Sequence, residues 1–513
     1  MGPRAFRIGL AGLLLVGLAV RLAVIGSPLG EIDGDEAVVG LMARHIALLG
    51  ERPVFFWGQP YLGSLEAFSA APLFRVFDSS TLLLKLVPAA YSLGFLGLSA
   101  TIAHRLFGPG AAMATAAYLA LPPAMWAVWS TKARGGYAEL LFLGQAVLLA
   151  TLALAQSPNR RLAFLWGVLA GLALWTHLLA VVYLAPAIVF LLPARRDKWS
   201  ATRLGLAVLG GIVGMTPLII ENLADGFLTV MALLQPPDLP VDPAAQLLRF
   251  FRVGVPVLVG LGQPTTSQTM FDQDWPQRPA GHLWVAALAL VLLAGVVVMY
   301  VPSLARLISC GAQPASAPAL LVLLAVAVPP AVAVTRFGFF VSEPRYALPL
   351  YGTVPLLAGA LWRIPWRWAR WVLLSAALAF NIWSLLSTDP RLWRPEDTAN
   401  STAASRAQLV QFLIAGDRHQ MYTDYWIGYP IMFETRETVL AYVVSGGFNR
   451  YLPPADNVQR TPNPAWVFEP GMDAERAFLD QLRDTGGRAQ VADVSVYRVY
   501  IDVQPLDAMR PRT

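Results

Sequence analysis

FRIGLAGLLLVGLAVRLAVIGSPLGEIDGDEAVVGLMARHI, residues 6 to 46, carries two messages in succession. The first, Phe6 to Gly26, is an apolar run of about the length that crosses a bilayer. It follows Arg4 and Arg7 as a signal peptide would, but it lacks a convincing small-residue cleavage site and is interrupted by Arg21, so it reads as a retained first span. The second is a knot of four acids within six residues, Glu31, Asp33, Asp35 and Glu36, set just beyond the end of that span.

The rest of the chain repeats the first message. Further apolar runs fall at 82 to 103, 111 to 129, 138 to 156, 162 to 176, 178 to 193, 204 to 220, 282 to 302, 317 to 335, 346 to 362 and 371 to 387. Together they predict a polytopic α-helical membrane protein of about eleven transmembrane helices. Composition agrees, because 56% of the 513 residues are hydrophobic and only 14% are charged, where soluble domains run near a quarter charged. A soluble enzyme is effectively excluded, and 24 Phe, 16 Trp and 15 Tyr exclude a disordered chain. The net charge of +6 is spread without a basic stripe, so no nucleic-acid partner is expected, and the single Cys310 forbids an intrachain disulfide.

Basic residues set the expected orientation. With the N-terminus in the cytoplasm, Arg105, Arg160, Arg161, Arg195, Arg196, Lys198, Arg203, Arg306, Arg363, Arg367 and Arg370 all fall inside, as the positive-inside rule requires. Residues 27–81 and 221–281 are then long outer loops, the second entered through PPDLPVDP and containing an amphipathic stretch, Ala245 to Val259, suited to the interface. Composition turns polar at STDPRLWRPEDT, 387 to 398. The expected division is therefore a membrane module, 1–390, and a small extracytoplasmic α/β domain, 391–513. In the latter, helical periodicity covers Ala404 to Ala415 and Asp473 to Leu482, and strand patterns cover Val439 to Val444, Trp466 to Glu469 and Val494 to Val503.

The acids open a periodic segment, Val38, Leu41, Met42 and Ile46. The plain account is that Asp35 and Glu36 cap a helix and favour its dipole. Yet four carboxylates at a bilayer surface repel one another unless a cation or substrate offsets them, and a carboxylate held there can act as a base. The next string, FFWGQPYLGSLEAF, brings Trp57, Gln59, Tyr61 and Glu66, which suit either an interfacial aromatic belt or a sugar stacked on rings with polar partners for its hydroxyls. WSTKARGGYAEL gathers Lys132, Arg134, Tyr137 and Glu139, the last entering an apolar span, where an ionisable residue is a functional candidate by default. Lys85, His177 and Arg345 place basic groups at outer span ends. Each could be a snorkelling partner of an acid, and together they suit a phosphorylated lipid headgroup. The five His show no metal spacing, and no P-loop, GxGxxG after a strand or GxSxG occurs. A divalent ion bridging carboxylates and phosphate is compatible with the residues but not implied by them.

The strings DGDEA, PYLGSLEA, LLLKLVPAAYSLGFL, GGYAEL and EPRYALPLY resemble the GT-C class of membrane glycosyltransferases, specifically the protein O-mannosyltransferase and aminoarabinose-transferase-like superfamily with its Rgt-type bacterial members. The resemblance covers roughly residues 10 to 390 in arrangement. It implies a bacterial cytoplasmic (inner) membrane enzyme of the cell envelope, without a cofactor, that moves a sugar from a polyprenyl-phosphate donor to a lipid, glycan or protein acceptor. By the same resemblance Asp35 is the base with Glu36 in support, Glu139 helps to place acceptor or sugar, and Lys85 and Arg345 meet the donor phosphate. Asp33, Trp57, Gln59, Tyr61, Glu66 and His177 are the sugar- or acceptor-binding candidates, His177 standing where Lys is more usual. The absence of the HPP-type string and of MIR repeats makes a protein acceptor less favoured. The competing reading is a proton-coupled transporter or lipid flippase, which predicts acids near the bilayer midplane, broken helices in matching halves and short loops. A lipid-linked polymerase or ligase that moves whole glycans differs only in the length of its donor.

Overall fold

The computed structural model describes residues 2–157, 159–192, 200–235, 242–262, 281–335, 344–386 and 402–511. The polar boundary at 387 to 398, residues 236–241 of the Pro-rich entry and residues 263–280 of the second long loop lie outside the described residues.

Helices occupy every predicted apolar run, and local chemistry sets their ends. α1 (Pro3–Ile25) opens on a proline, whose missing N–H costs nothing at a helix start. After the acids come α2 (Gly34–Leu48), α3 (Leu65–Phe77) and α4 (Thr81–Phe107), the last capped by Ser80, whose hydroxyl accepts from the Leu83 N–H at 3.3 Å. The third apolar run is broken at Leu121-Pro122-Pro123 into α5 (Pro109–Ala120) and α6 (Ala124–Trp129). There follow α7 (Tyr137–Gln156), α8 (Arg160–Thr176), α9 (Val181–Leu191), and α10 (Ala201–Gly214) with α11 (Thr216–Ala224), a pair bent by 63°. α12 (Leu228–Leu234), α13 (Pro243–Arg249) and α14 (Val255–Leu258) lead to α15 (Gly281–Cys310), α16 (Ala319–Val334), α17 (Val354–Arg363) and α18 (Arg367–Leu386). Among the described residues five helices are long and apolar enough to cross a membrane, Pro3–Ile25, Thr81–Phe107, Tyr137–Gln156, Pro314–Val334 and Arg367–Leu386, or six if the bent pair is one span. The remaining apolar runs form shorter or interrupted helices, except α15, which continues for 30 residues.

Close packing between spans relies on small residues, because lipid gives helices no hydrophobic reason to associate. α8 and α10 meet through Gly167 and Gly171 on one side and Gly210 and Gly214 on the other. A Cβ at Gly167 would stand 2.0 Å from the carbonyl oxygen of Ala207, and one at Gly210 would stand 2.1 Å from that of Phe164.

The C-terminal residues form an α/β unit: α19 (Thr402–Ala415), β1 (Gln420–Asp424), α20 (Tyr425–Glu434), β2 (Leu440–Ser445), α21 (Leu452–Arg460), β3 (Ala465–Phe468), α22 (Asp473–Asp484), β4 (Arg488–Val494) and β5 (Tyr497–Gln504). The five strands run in the order β2-β1-β3-β5-β4, with β1 parallel to β2 and β3, and β5 antiparallel to β3 and β4. The predicted strand over 494 to 503 is therefore a corner of the β4–β5 hairpin plus β5, and β1 is an element the sequence pattern did not reveal. α20 lies on α2: Ile427, Ile431, Met432 and Phe433 share one buried cluster with Val38, Val39, Leu41 and Met42. Most of residues 424–437, DYWIGYPIMFETRE, are thus core, with Tyr425, Ile427, Tyr429, Ile431, Met432 and Phe433 buried. The amphipathic stretch 245 to 259 is helical, with Phe250, Val253 and Val257 buried.

A polar cluster flanks that contact. His45 on α2 sits between Glu51, 3.0 Å from Nδ1, and Glu437, 2.9 Å from Nε2, while Tyr451 donates to Glu51 at 2.9 Å and stacks on Trp57 with centroids 4.2 Å apart. Burial pushes the imidazole down, but the hydrogen bond and charge of Glu437, and then those of Glu51, more than offset it, so its pKa lies above the ordinary value.

Two outcomes follow. Gly167→Ala is expected to destabilise by about 1–3 kcal/mol through overpacking against backbone, whereas Gly97→Ala, whose Cβ meets nothing within 4 Å, should leave the melting temperature in detergent unchanged or raised. For His45, the raised folded pKa means that its contribution is full below the unfolded value of about 6.5 and is lost as pH rises through the folded value. The melting temperature of the parent should therefore fall more steeply from pH 6 upward than that of His45→Gln; parallel curves would remove His45 from the contact's energetics.

Candidate active site

The site begins at the start of α2. The cap is made by Asp33, whose Oδ1 accepts from the Glu36 N–H at 3.0 Å, while Glu36 Oε2 accepts from the Asp33 N–H at 3.3 Å, closing a capping box. This corrects the expectation that Asp35 and Glu36 are the capping pair: Asp35 sits within the first turn and turns its side chain elsewhere.

Glu36 is fully buried. It forms an ion pair with Lys85 of α4, a second with Lys132 at 3.1 Å, and accepts from the Ala133 N–H at 3.0 Å. Lys132 also reaches Asp33 at 3.3 Å, and Arg134 lies 3.6 Å from Asp33 and donates through Nε to Asp35 at 3.0 Å. Three carboxylates are thus matched by three cations drawn from α4 and the 130–136 connection. Burial pushes the Asp33 carboxyl up, but the charges of Arg134 and then Lys132 hold it well below the usual range. Likewise burial lowers the Lys132 ammonium, and Glu36 followed by Asp33 more than restores it.

Below this layer Glu66 is buried, with Oε2 accepting from the N–H groups of Gly135 and Gly136 at 3.0 Å each. Both glycines have φ near +80°, which lets two successive N–H groups point at one oxygen. Burial first, then the nearby Glu139, push the Glu66 carboxyl well above its ordinary value. Glu139, in the first turn of α7, is fully buried.

Asp35 faces a cavity of about 680 Å³. The membrane helices and their connections give it apolar lining from Leu178, Leu179, Val181, Leu233, Ala331 and Val334. The other surroundings are polar or aromatic, with Gln59, Tyr61, Arg134, Tyr137, His177, Arg345 and Tyr346, and, from the C-terminal unit, Tyr425, Trp426, Phe448 and Arg450. Asp35 Oδ1 accepts from Tyr425 Oη at 2.7 Å and lies 3.4 Å from Arg450 Nη2. His177 ends α8; its Nδ1 accepts from the Leu179 N–H at 3.0 Å, so the neutral ring carries its proton on Nε2. Burial and then the charge of Arg345 lower its pKa to about 3, which keeps it neutral near pH 7. Backbone pairing of Leu62 with His177, and Gly63 N–H donating to the Thr176 carbonyl at 3.1 Å, tie the 53–64 loop to this turn.

Of the residues singled out from sequence, the cavity wall holds Asp35, Gln59, Tyr61, His177 and Arg345. It does not hold Asp33, Glu36, Trp57, Glu66, Lys85 or Glu139. Lys85 is not at the wall because its ammonium is fully buried against Glu36, so as placed it neutralises an acid rather than meeting a ligand. Trp57 is turned onto Tyr451 and His45. Sequence reasoning missed Tyr346, Tyr425 and Arg450 and gave Arg134 no role; Gly446-Gly447 after a strand was the one sign of a close backbone approach there.

No protein-family model matches the chain, and no curated protein matches it in sequence. Among solved structures it is similar to ArnT from Cupriavidus metallidurans in the apo state, with a TM-score of 0.62 and 15% identity over 98% of this chain and 99% of that one. It is likewise similar to ArnT from Cupriavidus metallidurans bound to undecaprenyl phosphate, with a TM-score of 0.59 and 15% identity over 100% of both chains. At this identity the likeness is one of fold: the described residues, the C-terminal unit included, share the fold of these two structures.

Removing Lys85 should unbalance the buried cluster. Lys85→Met is expected to cost about 3–5 kcal/mol, the usual penalty for stripping one partner from a buried pair, read as a lower melting temperature and a lower folded yield.

Proposed function

We propose that this protein is an inverting glycosyltransferase that moves a sugar from a polyprenyl-phosphate donor to an acceptor hydroxyl at the outer face of the bacterial cytoplasmic membrane, with its N-terminus in the cytoplasm and its C-terminal unit outside. The observation that carries the reading is a cavity lined both by apolar side chains of the membrane helices and their connections and by a carboxylate among arginines. A polyprenyl tail needs the first and a phosphate needs the second. The GT-C fold, shared with an ArnT that binds undecaprenyl phosphate, supports the same donor class.

The chemistry follows from the groups present. The acceptor hydroxyl attacks the anomeric carbon from the face opposite the phosphate, the carbon–oxygen bond to phosphate breaks, and the hydroxyl proton passes to Asp35. The bonding electrons leave with the polyprenyl phosphate, whose growing charge is met by Arg345, with neutral His177 Nε2–H as a donor. Arg134 and Arg450 hold Asp35 through ion pairs, and the carboxylate takes the acceptor proton on a lone pair that they leave open. Glu36 and Lys85 act behind this layer by fixing the start of α2. The step balances without a cofactor, and that is part of the proposal.

The test is the purified protein with a panel of labelled polyprenyl-phosphate sugars. The parent should release or transfer label, Asp35→Asn should lose roughly 10²- to 10⁴-fold in kcat as expected for a general base, and Arg345→Gln should raise the donor KM. Proton-coupled flux in vesicles with no sugar transfer from any donor would overturn the reading in favour of a transporter.

A further inference from the structure

In α/β sheets the loops leaving the carboxyl ends of parallel strands open a crevice where successive connections depart to opposite sides. β1 lies between β2 and β3 and is parallel to both, so the chain leaves β1 to form β2 on one flank and then crosses to β3 on the other. At this edge stand Tyr425 and Trp426, which open α20 directly after β1, and the loop Gly446 to Arg450 after β2. Both line the cavity that holds Asp35.

We propose that Tyr425 and Arg450 are positioning residues for Asp35, so that the site is complete only when the C-terminal unit is docked on the membrane helices. The inference rests on the reading of Asp35 as the base. Its two oxygens are divided between the two parts of the molecule. Oδ2 accepts from Arg134 Nε at 3.0 Å, on the membrane side. Oδ1 accepts from Tyr425 Oη at 2.7 Å and faces Arg450 Nη2 at 3.4 Å, both from the C-terminal unit. Donors on both oxygens fix the plane of the carboxylate, which aims its remaining lone pairs instead of leaving them to rotate.

The pair is itself held in place. Arg450 Nε donates to the Tyr425 oxygen at 3.2 Å, its backbone N–H donates to Tyr429 Oη at 2.6 Å, and its guanidinium lies 4.4 Å from the Phe448 ring and 5.0 Å from the Phe56 ring. Tyr425 opens α20 behind Asp424, which accepts from the Trp426 N–H at 2.9 Å and the Ser445 hydroxyl at 2.7 Å. A Cβ at Gly447 would stand 2.9 Å from the Tyr425 ring, so only glycine lets the 446–450 loop lie flat on it. Such support suits a residue that must hold another still.

The experiment uses the full chain in detergent or vesicles with the polyprenyl-phosphate sugar that the parent turns over. Tyr425→Phe, which removes one oxygen from a packed ring, should lower kcat about 10-fold with donor KM unchanged, the loss expected for one hydrogen bond to a charged group. Arg450→Gln should lose at least as much, and Arg450→Lys should recover part of it, since a point charge still reaches Oδ1. The discriminating readout is the double variant. If Tyr425 acts through Asp35, Tyr425→Phe costs less than about 2-fold in the Asp35→Asn background, the non-additivity of residues that work as a unit. A parent that transfers nothing overturns the transferase reading and this pair with it. An active parent and a crippled Asp35→Asn, beside Tyr425→Phe and Arg450→Gln with parental kcat, would overturn the positioning role alone. So would a 10-fold loss that persists undiminished in the Asp35→Asn background, or losses matched by a fall in melting temperature.

Discussion

The structure around the cavity depends on one buried carboxylate. Glu36 has no access to solvent, and a charge so placed is tolerated only when cations and N–H donors replace its water. Lys85, Lys132 and the Ala133 N–H do so, and to do so they must come from two segments that lie far from Glu36, and from each other, in sequence. Satisfying this one group therefore fixes the start of α2 against α4 and against the 130–136 connection. Asp33 caps the same helix turn and shares Lys132, so the register of α2 is fixed by both its backbone and its charges.

Asp35 inherits its position from that arrangement. Glu36 and Asp33 take the inward directions of the first turn, and Asp35 is left facing the cavity. The acidic knot thus performs both of the tasks its sequence suggested, helix capping and charge presentation, but it divides them among different residues. The mutual repulsion of the acids is offset by Lys85, Lys132 and Arg134, all within the protein. That neutral cluster leaves Arg345 and Arg450 as additional cations on the cavity wall.

What was legible in the sequence was what lipid and periodicity dictate. Apolar runs located the membrane helices because a bilayer tolerates little else, and the acids of residues 31 to 36 were visible as a local anomaly. The partners of those acids were not. Lys85 was recognised as a cation worth attention, but a sequence gives no sign that it closes on Glu36, 49 positions earlier, rather than on a ligand. Arg450 lies 415 positions from Asp35 and comes from a short loop of ordinary composition. In the C-terminal unit, β1 was hidden because QMYTD is brief and mixed, and the hairpin between β4 and β5 was hidden because Ser495, with φ of 56°, turns the chain without a Gly or Pro to mark it.

On the proposed transferase reading, the charge balance bears on catalysis as well as on folding. A polyprenyl-phosphate sugar is a phosphodiester with a single negative charge, whereas the polyprenyl phosphate that departs carries nearly twice as much at neutral pH. On the proposed reading, the arginines lining the cavity, Arg134, Arg345 and Arg450, outnumber Asp35 there and stabilise the second state more than the first, and only such a difference speeds the chemical step. The apolar lining adds to this, because charges interact more strongly where water is scarce. On that reading one arrangement meets two demands: the acids neutralised within the protein secure the helix start, and Arg345 and Arg450 add positive charge to the cavity lining where the leaving group would lie.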